Sequence, residues 1–270
     1  MVFGSVFLFY TLPADGEEHI AYPSSVVYAA SSSASISPTT SGICMKLSVT
    51  PDNTGDDLEQ QPEACAQTLR TKFSHSSYPV SATANKGFID IIVFSSSPSD
   101  IHEVKEFLTI KGKLSIHLVH RQTRTLAAEI ASNQKIIPSY KALPHINKDP
   151  ATGATTSEQV LIRIKAELSG KEMKAAYLDQ RDPSIINIEL TDAGGKKMEA
   201  FTLSLTKNVD KIATVFDGKV INYATLNAKT LGRRFIITGL ESKEAVNLCR
   251  SLQSPLTSTL KIIEQRPYSP

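Results

Sequence analysis

Residues 88–94 read FIDIIVF, seven positions carrying one charge, Asp90. A run this apolar and β-branched fits a central strand with cover from a packed layer, and it anchors the reading of everything around it. Upstream, Met45, Leu47 and Val49 alternate with polar or small residues in a short strand ended by Pro51. Cys65, Leu69 and Phe73 recur at helical spacing, with Pro62 near the first turn, where a missing N–H costs little. Tyr78-Pro79-Val80 opens an extended stretch to Ala84, and Asn85-Lys86-Gly87 is a turn signal before the central strand. Asp100 with Glu103 marks a helix start on which Ile101, Val104 and Leu108 share a face. Gly112 ends that helix, and Leu114, Ile116 and Leu118 alternate along a fourth strand. The order is β-α-β-β-α-β, the ferredoxin-like split unit, assigned to residues 43–120.

Two further regions flank it. Residues 1–42 combine an apolar start at residues 2–12 with a Ser/Thr-rich stretch at 31–41, read as a linker. The apolar start is shorter than the roughly 20 residues of a spanning helix. It also lacks a basic leader and a nearby small-residue cleavage site. Residues 121–155 are read as a second linker, with a short helix at 124–132 and Pro138, Pro144 and Pro150 keeping the rest irregular.

Residues 156–255 have the rhythm of a second α+β lobe. Ser169 is expected to cap a short helix through Ala176, and residues 177–190 read as a hairpin around Asp182-Pro183. Thr191 caps a helix from Asp192 whose apolar stripe is Met198, Phe201 and Leu205. Asp217-Gly218 is a tight-hairpin signal joining Ile212, Thr214 and Phe216 to Val220, Ile221 and Tyr223. Another strand at 233–238 and a helix capped by Ser242 follow, and a last strand within 256–266 completes the base.

Composition excludes more than it assigns. The net charge of +2 gives no basic stripe of the kind nucleic acid requires. The charge is uneven: residues 1–60 hold one basic residue, Lys46, against seven acidic ones. Three cysteines with no CxxC pair support neither a disulfide framework nor a zinc site. They read as core residues, although Cys44 and Cys65 are able to bridge in an oxidising compartment.

Chemical motifs are missing. There is no GxSxG, HExxH or GxGxxG. Gly194-Gly195-Lys196-Lys197 lacks the upstream glycine and the Ser/Thr of a phosphate loop, and reads as a helix first turn with a solvated basic face. His102, His117 and His120 are the local histidine cluster. On one strand His117 and His120 point to opposite faces, so they read as surface or strand-end residues without a shared metal. Neither Asp56/Asp57 nor Glu103/Glu106 reads as an acid/base pair. The expectation is a non-enzymatic protein with no cofactor, no metal and no nucleic-acid partner.

A family resemblance adds to this. Residues 168–176 (LSGKEMKAA) are similar to LTGxDLxxA of the first extracytoplasmic domain of the SecD/SecDF protein-export membrane family. Residues 188–198 (IELTDAGGKKM) resemble its FTLNxEGAKKF, and residues 208–220 (NVDKIATVFDGKV) its NVGKRLAIVLDGKV. Residues 244–248 and 255–264 resemble EEANxLA and LPxPLKIVEE. The N-terminal half agrees more loosely, at 68–80 and 110–119. The family's GLDLxGG block is absent before Ile43.

The resemblance implies a ferredoxin-like base near the periplasmic face of the bacterial inner membrane and a mobile head that engages unfolded preprotein. It implies as partners the Sec translocon channel and a SecF-like subunit, with membrane attachment outside this chain and export driven by the proton-motive force. It also makes the hairpin residues Asp217, Gly218, Val220, Ile221 and Tyr223 the expected substrate contact. The alternative is a soluble interaction or scaffold protein derived from the same domain without motor activity.

Overall fold

The computed structural model describes residues 41–52, 61–74, 76–132, 134–148 and 154–269. The apolar start, nearly all of the Ser/Thr-rich stretch and the Asp56/Asp57 pair lie outside these residues. In chain order the first elements are β1 (Gly42–Pro51), α1 (Gln61–Phe73), β2 (Val80–Asn85), β3 (Phe88–Val93), α2 (Pro98–Thr109) and β4 (Leu114–Val119). Next come α3 (Thr123–Ala131), β5 (Tyr140–Lys148), β6 (Thr155–Arg163), β7 (Leu168–Ser169), a single 3-10 turn at Gly170–Glu172 and β8 (Met173–Leu178). The chain continues through β9 (Ile186–Leu190), α4 (Asp192–Leu203), β10 (Lys211–Phe216), β11 (Lys219–Thr225), β12 (Arg234–Ile237), α5 (Ser242–Gln253) and β13 (Ser258–Tyr268). The fold is α+β. Among the described residues no helix is long and apolar enough to cross a membrane.

The chain divides into two compact units. One joins the segment ending at Lys111 to the segment beginning at Ser254. Its antiparallel sheet has the order β13-β1-β3-β2, with the FIDIIVF strand inside, as its apolar run requires. Met45, Leu47, Ile89, Ile91 and Val93 alternate onto one face and are buried there with Leu69, Phe73, Val104 and Leu108 of the two helices. Gly87, at φ +76°, makes the turn between β2 and β3.

The fourth strand of the β-α-β-β-α-β reading is not in that sheet. Residues 114–119 belong to the other unit, Gly112–Gln253, and the place beside β1 is taken by β13 over the whole length of β1. The burial of β4 explains why. Leu114 and Ile116 pack into one core cluster and Val119 into another, so the strand is apolar on both faces. A sheet with helices on only one side has no use for a strand of that kind. The base therefore closes at Lys111 rather than near residue 120.

In the Gly112–Gln253 unit, β10-β11-β5-β6-β4 form a sheet whose ends meet, since β10 also pairs with β4 from Lys211↔Val119 to Phe216↔Leu114. The result is a five-stranded barrel filled by Val119, Val160, Ile162, Ala213, Val215 and Val220. A three-stranded sheet, β12-β9-β8, carries α4 and α5 and encloses the larger core around Ile186, Ile188, Met198, Phe201, Phe235 and Leu248.

Two further expectations change here. The described residues within 121–155 are not a linker: α3 packs on β5 and β6, and β5 is a barrel strand paired with β6 over nine positions. Pro144 fits inside β5 because that strand meets β11 at a single register pair, Val220↔His145, and so behaves as an edge on that side. The helix expected from Ser169 to Ala176 is one turn only. Ser169 and Glu172 form a capping box that closes the turn, and the chain then enters β8, which pairs with β9.

Candidate substrate-binding groove

The helix start foreseen at Thr191 is in place: the Thr191 hydroxyl accepts a hydrogen bond from the Gly194 N–H at 3.0 Å. Gly194 and Gly195 follow it for a steric reason. A Cβ on Gly194 would lie 2.7 Å from the Glu172 carbonyl oxygen and 2.9 Å from the Glu172 Cβ. The carboxylate of Glu172 accepts from the Ser169 N–H and hydroxyl and pairs with Lys197. Lys197, more than burial opposes it, holds the Glu172 carboxyl down at about 2. The GGKK block thus clamps α4 to the 3-10 turn. Gly194→Ala is expected to cost about 1–3 kcal/mol by overpacking a backbone contact. Thermal unfolding measures it, with Lys196→Ala as an unaffected surface control.

The expected contact hairpin is built into the barrel. Asp217, at φ +45°, accepts from the Gly112 and Lys113 N–H groups at 3.2 and 2.9 Å, and Gly218 makes the turn at φ +82°. Val220 is 2% exposed inside the barrel and presents no surface, and Ile221 packs against the larger core. Tyr223 is half-buried, donates to Glu158 at 2.8 Å and meets His145 edge-on. Burial, then the Glu158 hydrogen bond, pushes the Tyr223 hydroxyl up to about 12.

The histidines separate. His102 lies beside Glu106 on the surface, and the His120 ring stacks edge-on against Tyr140. His117 is buried rather than a surface residue, because its ring nitrogens bond to the Arg163 carbonyl and the Ser115 hydroxyl, both at 2.8 Å. Burial lowers its pKa. Cys44, Cys65 and Cys249 are buried free thiols. Among the described residues no three His, Cys, Asp or Glu side chains converge on a metal position.

A concave surface of about 540 Å³ lies elsewhere in the barrel unit, lined by Leu118–Gln122, Tyr140, Arg163, Phe201, Ser204, Leu205 and Asp210. Leu118, Phe201 and Leu205 give it an apolar floor. Leu203 and Val209, neighbours of Ser204 and Asp210 in the chain, are 54% and 49% exposed. Its polar wall, which includes His120, Gln122, Tyr140, Arg163 and Ser204, holds an ion pair: Arg121 donates through Nε and Nη2 to the two Asp210 oxygens at 2.7 and 3.1 Å. Asp210 also accepts from the Thr206 N–H at 2.7 Å, which fixes the loop after α4. Arg121 first, with Thr206 assisting against the cost of burial, holds the Asp210 carboxyl below the usual carboxylate range. An apolar floor with a polar wall and an oriented guanidinium suits an extended polypeptide that offers both apolar side chains and backbone hydrogen bonds. The one signal in the sequence was Leu205, the last residue of the α4 stripe, which passes beyond the helix and is left half-buried.

The fold is thus of a two-unit α+β class, one unit an open helix-covered sheet and the other a barrel with a second sheet. Residues 145–255 match the family described as SecDF, P1 head subdomain. Protein translocase subunit SecD of Rickettsia felis (strain ATCC VR-1525 / URRWXCal2) is 23% identical over 233 residues, and that of Rickettsia conorii (strain ATCC VR-613 / Malish 7) is 22% identical over 231. Each alignment covers 84% of this chain and 42% of the relative, so the chain spans less than half the length of these relatives. A crystal structure of SecDF in a super-membrane-facing form superposes with a TM-score of 0.56 at 17% identity, over 84% of this chain and 30% of that one. A second SecDF structure, of a membrane component that enhances protein export, gives 0.53 at 17% identity, over 83% of this chain and 99% of that one. The chain is thus similar to SecD and SecDF proteins over most of its length, with residues 145–255 matching the P1 head subdomain.

Proposed function

We propose that this chain is the extracytoplasmic part of a protein-export accessory subunit, and that its barrel unit receives emerging preprotein in the Arg121–Asp210 groove. Similarity to SecD and SecDF supports the export role, and the groove is the observation that carries the binding reading. We read the protein as non-enzymatic, acting at the periplasmic face of the inner membrane with the Sec translocon channel and a SecF-like subunit as partners. The sheet order β13-β1-β3-β2 supports a ferredoxin-like base. Force from the proton gradient would reach it through membrane segments of its partner or of a longer polypeptide.

A photo-activated cross-linker at position 205, with a second at position 219 on the exposed hairpin turn, tests the groove against the hairpin. With a reduced, unfolded secretory preprotein, adducts are expected at 205 and not at 219, and Arg121→Ala should lower their yield at least fivefold. Adducts at 219 alone would transfer the binding role to the hairpin. None at either position would remove it from this unit.

A further inference from the structure

Ile136 is 85% exposed, more than any other large apolar residue described, and Ile164 is 53% exposed. The backbone brings their segments to one end of the β5–β6 pair. The Ile164 N–H donates to the Ser139 carbonyl at 2.8 Å, and the Tyr140 N–H donates to the Ile137 carbonyl at 3.2 Å. Ser139 holds this turn at φ +67°, a conformation that side-chain-bearing residues adopt rarely. The two isoleucines are therefore presented by a fixed turn.

Their surroundings are cationic. Lys135, Lys141 and Lys165 are exposed, and Arg163 adjoins them in sequence. Against these stand Glu129, 3.7 Å from Lys135, and Glu167, 2.8 Å from Arg163. The local balance is two positive charges in excess.

We infer that this end of the barrel, Ile136 and Ile164 with Lys135, Lys141 and Lys165, docks on an anionic lipid bilayer. The inference is independent of preprotein binding. A side chain exposed to 85% projects from a convex surface, whereas a polypeptide partner is gripped by a concave one such as the groove. A bilayer accepts protrusions: the isoleucines enter the headgroup–acyl boundary while the lysine stems lie along it and their ammonium groups stay at the phosphates. Attraction between exposed lysines and anionic headgroups adds to this and weakens with salt. Two isoleucines and a small charge excess make a reversible contact rather than an anchor.

The test uses the full chain with an environment-sensitive dye on Ile136→Cys, on Ile164→Cys and, as control, on Thr156→Cys at the other end of the β5–β6 pair. The three native thiols are buried, so the added one is labelled selectively. Vesicles of phosphatidylcholine with phosphatidylglycerol should shift the emission of the dye at 136 and 164 to the blue, with no shift at 156. Pure phosphatidylcholine or high salt should reduce the response at least fivefold, as should Lys141→Glu with Lys165→Glu. No shift at 136 or 164, an equal shift at 156, or indifference to phosphatidylglycerol would overturn the inference. So would a shift given by an acidic unfolded peptide and not by vesicles, which would make the patch a protein-binding surface. Because the dye reports its own position, vesicle binding through any other segment of the chain does not affect the result.

Discussion

Phe235→Ala is expected to lower the unfolding free energy by about 3–5 kcal/mol, among the largest losses a single substitution gives. Phe235 sits on β12 opposite Ile188, is 2% exposed and is the bulkiest of the fully buried side chains. It belongs to the cluster that joins the β12-β9-β8 sheet to α4 and α5. Truncation removes the transfer free energy of the ring and leaves a cavity walled by backbone on the sheet side, where collapse is limited. Set against the roughly 5–15 kcal/mol by which domains of this kind are stable, the loss threatens folding at physiological temperature. Urea denaturation checks it, with Phe235→Leu as the milder comparison expected at under about 1.5 kcal/mol. A loss below about 1 kcal/mol for Phe235→Ala would mean that the helices close over the gap.

The elements that could be read from the sequence are those whose cause is local. Thr191 before Asp192, Asn85-Lys86-Gly87 and Asp217-Gly218 each determine their own turn or cap within four residues, and each is in place. Strand β4 was legible as a strand but not as a member of the barrel. Its alternation is identical whichever sheet it joins, and its partner β10 lies some ninety residues away. Pro144 looked like a loop residue because a proline in a strand is tolerated only when one side lacks a regular ladder, and that depends on how the barrel closes. His117 had the same difficulty, since the Arg163 carbonyl that accepts from its Nδ1–H in the interior is 46 residues distant. The groove gave almost no signal. Arg121 and Asp210 are 89 residues apart, and nothing near either one announces the other.

Side-chain partners hold the Asp217–Tyr223 hairpin to the barrel and leave the groove open. Asp217 is engaged by two backbone N–H groups and Tyr223 by Glu158, and Val220 is enclosed. Arg121, by contrast, has a side chain 61% exposed although its carboxylate partner is 8% exposed. A buried carboxylate thus orients an accessible guanidinium, an arrangement that stabilises the loop after α4 and fixes one charged contact on the groove wall.

Asp210→Asn should therefore be destabilising and should also change how the protein responds to acid. At neutral pH the carboxylate accepts two guanidinium bonds and the Thr206 N–H, while the backbone of Asp210 bonds Thr206 and Leu226. Asparagine retains one acceptor oxygen and turns an amide donor toward Arg121, so a charge-assisted bond is lost and a donor–donor contact appears. The expected cost is about 2–3 kcal/mol. At about 2–4 °C per kcal/mol for a chain of this size, this lowers the Tm by roughly 4–12 °C. The folded pKa of Asp210 lies below its unfolded value, so between the two the unfolded state binds the extra proton and stability rises with pH. The contribution of Asp210 is complete above the unfolded value near 4 and fades as pH falls through the folded one. The gap between wild type and Asp210→Asn should accordingly be widest at neutral pH and narrow in strong acid. Glu172, held at about 2, contributes with the same sign, so the double variant Asp210→Asn, Glu172→Gln should show the flattest acid limb. Denaturation midpoints measured from pH 7 down to pH 2 decide this. A gap that stays constant across the series would show that Asp210 acts through shape alone, and one that widens in acid would reverse the assigned direction of its pKa shift.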